Sequence, residues 1–133
     1  PIIIHSREAE KETLQILEEE RPKKGVWHCF TADWRVAQKV LKMGLFISFG
    51  GLITYNLSRK TKKVIENSPL EKILAETDAP YLVPAPERWK GVKKNEPALV
   101  KRVVEKIAEI KQISFSKTAK IIFKNSLQLF LAK

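Results

Sequence analysis

Ile73-Leu74-Ala75-Glu76-Thr77-Asp78 is an apolar, β-prone run that ends in carboxylates, and a Pro-rich loop follows it. The same design occurs twice upstream. In Ile2-Ile3-Ile4-His5 and in Val26-Trp27-His28-Cys29-Phe30 a His stands at or near the C-terminal end, and a helical stretch follows. In parallel α/β proteins the C-terminal ends of the strands form the face where ligands sit. His5, His28 and Asp78 are therefore placed to converge on one spot from three strands. Two neutral imidazoles and a carboxylate suit zinc, and a carboxylate with imidazole also suits manganese or iron.

Between these runs the chain alternates. Ile2–His5 reads as a fully buried strand, and Ser6 has the chemistry of an N-cap for a helix over Arg7–Glu20. Arg21-Pro22-Lys23-Lys24-Gly25 breaks that helix before the second strand, Val26–Phe30. Thr31 or Asp33 can cap a helix with Val36, Val40, Leu41 and Met43 on its apolar face, closed by Gly44. Leu45–Phe49 reads as a third strand running into Gly50-Gly51, and Ser58 begins a short helix to about Asn67. Ile73–Thr77 is the fourth strand, and 80–94 a loop with three prolines. Glu96–Ile110 carries a strong amphipathic pattern. Ser114 or Ser116 caps a last helix, with a break expected at Asn125 before Leu127–Leu131. A run of βα units implies a parallel sheet with right-handed crossovers. Four strands suffice for a small open doubly wound sheet, and they also make half of a TIM (β/α)8 barrel, which needs roughly 250 residues.

Composition sets limits on function. A chain of 133 residues with 44% hydrophobic and 30% charged residues fits a single folded domain over 1–133, not a disordered segment. No apolar run approaches the roughly 20 residues of a membrane span, so no membrane partner is expected. A single cysteine, Cys29, excludes an internal disulfide and fits a reducing, cytoplasmic compartment. The start on Pro1, directly on an apolar strand, suggests a processed or fragmentary chain. The net charge of +10 is uneven: residues 1–55 hold eight Lys/Arg and seven Asp/Glu, and residues 56–133 hold seventeen and eight. Such asymmetry favours a polyanionic partner, nucleic acid being the commonest.

Five strings occur in order: His5-Ser6-Arg7, His28-Cys29-Phe30-Thr31, Ser48-Phe49-Gly50-Gly51, Glu76-Thr77-Asp78-Ala79-Pro80-Tyr81-Leu82 and Asn95-Glu96-Pro97. Together they resemble the C-terminal half of TatD-type metal-dependent deoxyribonucleases, and the string from Glu76 to Leu82 is the most specific of them. The resemblance implies α/β architecture with about half of a TIM barrel, four parallel strands and flanking helices. It implies hydrolysis of phosphodiester bonds in DNA with two divalent metal ions, Zn, Mn or Mg. By the same resemblance His5 and His28 look like ligands of one metal and Asp78 like a ligand of the other, with Asp78 also contacting or deprotonating the attacking water. The family's His-x-His pair and its bridging Glu lie upstream of this chain. The resemblance therefore implies a missing N-terminal half, or self-association to cover open edges, and inactivity of this chain alone.

Other residues are read alongside. Period-2 alternation puts Glu76 and Asp78 on one face of their strand, so Glu76 is expected to serve catalysis by orienting Asp78, a water or a neighbouring ligand. The same alternation turns Cys29 away from His28. Trp27 and Trp34 read as packing residues. Trp89 is different, because it lies in a polar loop beside Arg88, Lys90, Lys93 and Lys94. A basic loop with an aromatic can hold a phosphate backbone and stack a base. Arg88, Trp89, Lys90 and Asn95 are thus the expected substrate contacts, although the loop departs from the family's shorter Arg/Gly/Lys-rich run. Asn95 and Pro97 also read as fixing the loop's return, with Pro97 near the first turn of a helix. Two functional classes remain: a phosphodiesterase acting on DNA, and a non-catalytic half-barrel that needs a partner. An amidohydrolase-like barrel acting on a small ester is a neighbour of the first.

Overall fold

Apolar runs separated by amphipathic stretches bury themselves only by lining up as a sheet with helices laid against it. The computed structural model, which describes residues 1–131, has that form. Four parallel strands, β1 (Ile2–Ile4), β2 (Gly25–Trp27), β3 (Phe46–Phe49) and β4 (Ile73–Ala75), pair in sequence order. The helices are α1 (Glu10–Glu20), α2 (Trp34–Lys42), α3 (Arg59–Asn67), α4 (Val100–Lys111) and α5 (Phe115–Phe130). Among the described residues no helix is long and apolar enough to cross a membrane.

Register assigns the two faces of the sheet. Ile3 is level with Val26, Val26 with Phe46, and Ser48 with Leu74, so these side chains share one face. Trp27, Ile47 and Ile73 alternate onto the other face and join the main core with Leu14, Leu17, Val40, Val64, Ile65, Val103 and Ile107 from the helices. Trp27 also meets Phe30 edge-on, with ring centroids 5.4 Å apart. Burying each such large side chain contributes about 1.5–3 kcal/mol. The first face has lighter cover. Val26, Phe46 and Leu74 form a small cluster with Leu129 near the end of α5.

Several expected boundaries move, each for a local reason. The strand expected over Val26–Phe30 ends at Trp27, because Cys29 takes a left-handed φ of 47° and turns the chain. The strand expected to reach Thr77 ends at Ala75; one more ladder bond follows, from Glu76 N to Phe49 O at 3.0 Å, before Asp78 turns at φ 57°. The runs expected over Ile2–His5 and Leu45–Phe49 are each one residue shorter. The first is not buried. It is an edge strand, and Ile3 is 66% exposed.

Ser6 does not cap α1, which starts at Glu10 behind Ala9; its hydroxyl instead accepts a hydrogen bond from Thr13 Oγ1 at 3.0 Å. Asp33 takes the N-cap of α2 by accepting from Val36 N at 3.0 Å, and Ser58 and Ser114 cap α3 and α5 in the same way. The amphipathic stretch from Glu96 opens with a 3-10 turn over Pro97–Leu99 before α4 begins. Asn125 breaks nothing. It lies inside the continuous helix α5, buried, and its Nδ2 donates to Leu70 O and Ile73 O, both at 2.8 Å.

Candidate metal centre

Alternation extended past the strand ends brings His5, His28 and Glu76 onto the lightly covered face, at the C-terminal edge of the sheet. His28 and Glu76 meet there, and His5 stands beside His28. His28 follows β2, its backbone N held by Ile4 O at 2.9 Å, and Glu76 follows β4. Glu76 Oε2 lies 2.7 Å from His28 Nδ1 and also accepts a very short hydrogen bond from Ser48 Oγ of β3. With Nδ1–H donating to that carboxylate, a neutral ring presents Nε2 as a bare lone pair. Asp78 Oδ1 is 3.8 Å from that nitrogen. The ring of His5 is exposed and stands 5.8 Å from that of His28, centroid to centroid, tilted by 34°.

Ser48 had no role assigned from sequence. Its signal was a hydroxyl at an inward position of an otherwise apolar strand, Phe46-Ile47-Ser48-Phe49, where a buried polar group needs a partner. Cys29 is half-buried, and burial, with Glu76 and Asp78 nearby, pushes its thiol up to about 11.

The donor set fits a divalent metal in part. The lone pair of His28 Nε2 and the Asp78 carboxylate face each other, and Glu76 Oε1 is buried with no hydrogen-bond partner. Yet among the described residues no three His, Cys, Asp or Glu side chains gather closely enough to hold a metal ion. His28 and Asp78, with His5 beside His28, would supply only part of a ligand set.

The loops around the centre are tightly tied. A Cβ on Gly51 would collide with the carbonyl oxygen of Leu82, so the turn after β3 and the loop after β4 touch backbone to backbone. Thr54 Oγ1 accepts from Ala85 N at 2.8 Å and donates to Gly51 O at 2.6 Å. Gly51→Ala is expected to lower stability by about 1–3 kcal/mol, the usual range for overpacking. Urea unfolding measures it, and an unchanged midpoint would show that the two loops separate without penalty.

Asn95, expected as a substrate contact, has its side chain engaged within the chain. Asn95 is 4% exposed. Its Nδ2 donates to Thr77 O at 2.6 Å, Tyr81 O at 2.7 Å and Leu82 O at 3.2 Å, while Oδ1 accepts from Glu96 N at 2.9 Å. The side-chain amide is fully used in closing the base of the loop. Arg88, Trp89 and Lys90 are exposed on a 3-10 turn at its crest, away from the imidazole–carboxylate group in sequence but at the same end of the sheet.

Comparison with known proteins follows this geometry. The family profile described as TatD related DNase matches residues 1–131. The chain belongs to the TatD family. Among its relatives, the metal-dependent hydrolase YabD of Bacillus subtilis is 42% identical over 132 residues, which cover 98% of this chain and 51% of YabD. The Escherichia coli K12 metal-dependent hydrolase YcfH is 39% identical over 132 residues, covering 98% and 49%. The crystal structure of the TatD homologue YjjV from Escherichia coli K12 superposes with a TM-score of 0.88 at 30% identity, covering all of this chain and 51% of that one. A TatD family hydrolase from Entamoeba histolytica shares the fold, with a TM-score of 0.85 at 22% identity. The chain spans about half the length of the curated relatives it matches. Its four parallel strands and flanking helices correspond to about half of the TatD barrel.

Proposed function

We propose that this TatD chain supplies half of a metal-dependent phosphodiesterase centre acting on DNA. The observation that carries the reading is His28, pinned through Nδ1 by Glu76 with Nε2 turned 3.8 Å from Asp78 Oδ1. That arrangement offers one imidazole nitrogen and one carboxylate, and Ser48 keeps Glu76 from swinging into the site. His28 Nε2, His5 and Asp78 are the groups that would hold divalent metal. Bound divalent metal supplies a water with its pKa brought towards about 7 and charge to neutralise the phosphate oxygens.

The chain's own residues do the rest. Glu76 fixes the tautomer and orientation of His28. Asp78 Oδ1 accepts the proton of the water that attacks phosphorus as the P–O bond to the leaving oxygen breaks. Net charge in residues 56–133, seventeen Lys/Arg against eight Asp/Glu, supports a polyanion over a small neutral ester.

A barrel completed by four further βα units is expected to release nucleotides from DNA with Zn, Mn or Mg and to lose that activity in EDTA. Faster turnover of a small carboxylic ester than of DNA would replace this reading with the amidohydrolase-like one. The absence of a three-ligand group among the described residues supports a second statement about the chain by itself: it is inactive and associates through its open edges. Sizing with metal analysis tests that. A monodisperse monomer holding two tightly bound metal ions would contradict it.

A further inference from the structure

Trp89 is 66% exposed, yet the turn that carries it is held rigid. Asn95 closes the base of the loop, and Thr54 Oγ1 grips Ala85 N partway along it. At the crest Glu87 Oε1 accepts from Arg102 Nη2 at 2.7 Å and Nε at 2.8 Å, which ties the turn to α4. That ion pair holds the Glu87 carboxyl below the usual carboxylate range, mainly through the Arg102 hydrogen bond. Glu87 is thus turned to Arg102, which also pairs with Glu105, and residues 88–95 carry Arg88, Lys90, Lys93 and Lys94 with no acid among them. Tyr55, just after the turn that follows β3, meets Trp89 edge-on with centroids 6.1 Å apart at 74°. The Arg88 guanidinium lies over the Tyr55 ring at 4.6 Å.

An indole held open on a fixed turn, buttressed at its edge and ringed by cations, has the requirements of a nucleobase platform. Resting on the reading of DNA as substrate, we propose that Tyr55, Arg88 and Trp89 form a cradle for one unpaired base. Trp89 stacks on that base, and Arg88 and Lys90 take the flanking phosphates. A base inside a duplex has both faces covered by its neighbours, so the cradle selects single-stranded or frayed ends. It sits at the C-terminal end of β3 and β4, the same end of the sheet as His28 and Asp78.

The test is fluorescence anisotropy with a labelled ten-nucleotide oligo-dT and a blunt DNA hairpin, in EDTA so that no turnover occurs. The wild-type chain is expected to bind the single strand more tightly than the hairpin and to show quenched Trp emission. Trp89→Ala is expected to weaken oligo-dT binding by about 5- to 150-fold, as for loss of one stacked base, with Trp89→Phe close to wild type. Equal binding by Trp89→Ala and wild type would overturn the cradle. So would hairpin binding as tight as oligo-dT, or an unquenched wild type. Because no metal is present, failure here is separate from failure of metal-dependent hydrolysis, which the activity assay alone reads.

Discussion

Replacing Asp78 by asparagine is expected to remove metal-dependent hydrolysis from the completed barrel while leaving the fold intact. Asp78 has a left-handed φ of 57°, a conformation that Asn and Asp tolerate better than other residues with a Cβ, so the turn survives the change. Its carboxylate is 3.8 Å from His28 Nε2, too long for a structural hydrogen bond. Stability is therefore expected to shift by no more than about 0.5 kcal/mol, as for an exposed substitution. Activity is another matter. An amide neither accepts the water's proton nor offers a charge to metal, and loss of such a group lowers kcat by about 10²–10⁴-fold. Steady-state kinetics at saturating metal, beside thermal unfolding of the same variant, give both readouts. Wild-type kcat in Asp78→Asn would remove Asp78 from the reaction.

Asn125→Ala carries the largest expected effect on stability. The Asn125 amide is buried and donates to the carbonyls of Leu70, in the turn before β4, and Ile73, the first residue of β4. Truncation leaves the Ile73 carbonyl without its side-chain donor, at about 1–3 kcal/mol, and takes the second of two donors from Leu70 O, which keeps the Ile73 N–H; a loss of about 2–4 kcal/mol is expected. That is a large part of the roughly 5–15 kcal/mol that holds a domain together. Urea unfolding measures it, and Asn125→Asp, which aims acceptors at acceptors, is expected to be worse. A variant within 0.5 kcal/mol of wild type, the range of about the usual surface change, would show that water or a shift of α5 replaces the bonds.

Asn125 also shows where sequence reading runs out. A lone Asn in a helical pattern reads as a breaker because its side chain competes with the backbone. Here the competing partners lie 52 and 55 residues away, and no local pattern reveals them. The strand ends were misplaced for a related reason. Cys29 and Asp78 adopt left-handed turns imposed by the loops around them, whereas apolar runs through Phe30 and Thr77 look continuous. By contrast the alternation of apolar runs and amphipathic stretches was enough to read four parallel strands with flanking helices, and their order in the sheet comes from the structure.

The candidate site was legible in a different measure. His5, His28, Glu76 and Asp78 announce themselves as polar residues at the ends of β-prone runs. The bond from Glu76 to His28 reaches across β3, which lies between their strands, so it becomes visible only with the register in hand. Ser48 needed that register before its role was visible. Tyr55 needed the fold of two loops, because nothing in the sequence links it to Trp89.

The sequential strand order has a consequence for how the chain assembles. Paired strand residues are at most 26 positions apart, as between Phe49 and Ala75, so each strand meets its partner after a short loop closure. Closure entropy then favours building from one end, each βα unit docking on the one made just before it. The grip of α5 on Leu70, which spans 55 positions, is a longer closure than any of these. Asn125 is in that sense a fastener: its helix follows all four strands in the chain, so its grip on β4 closes over a sheet whose pairings need only shorter loops.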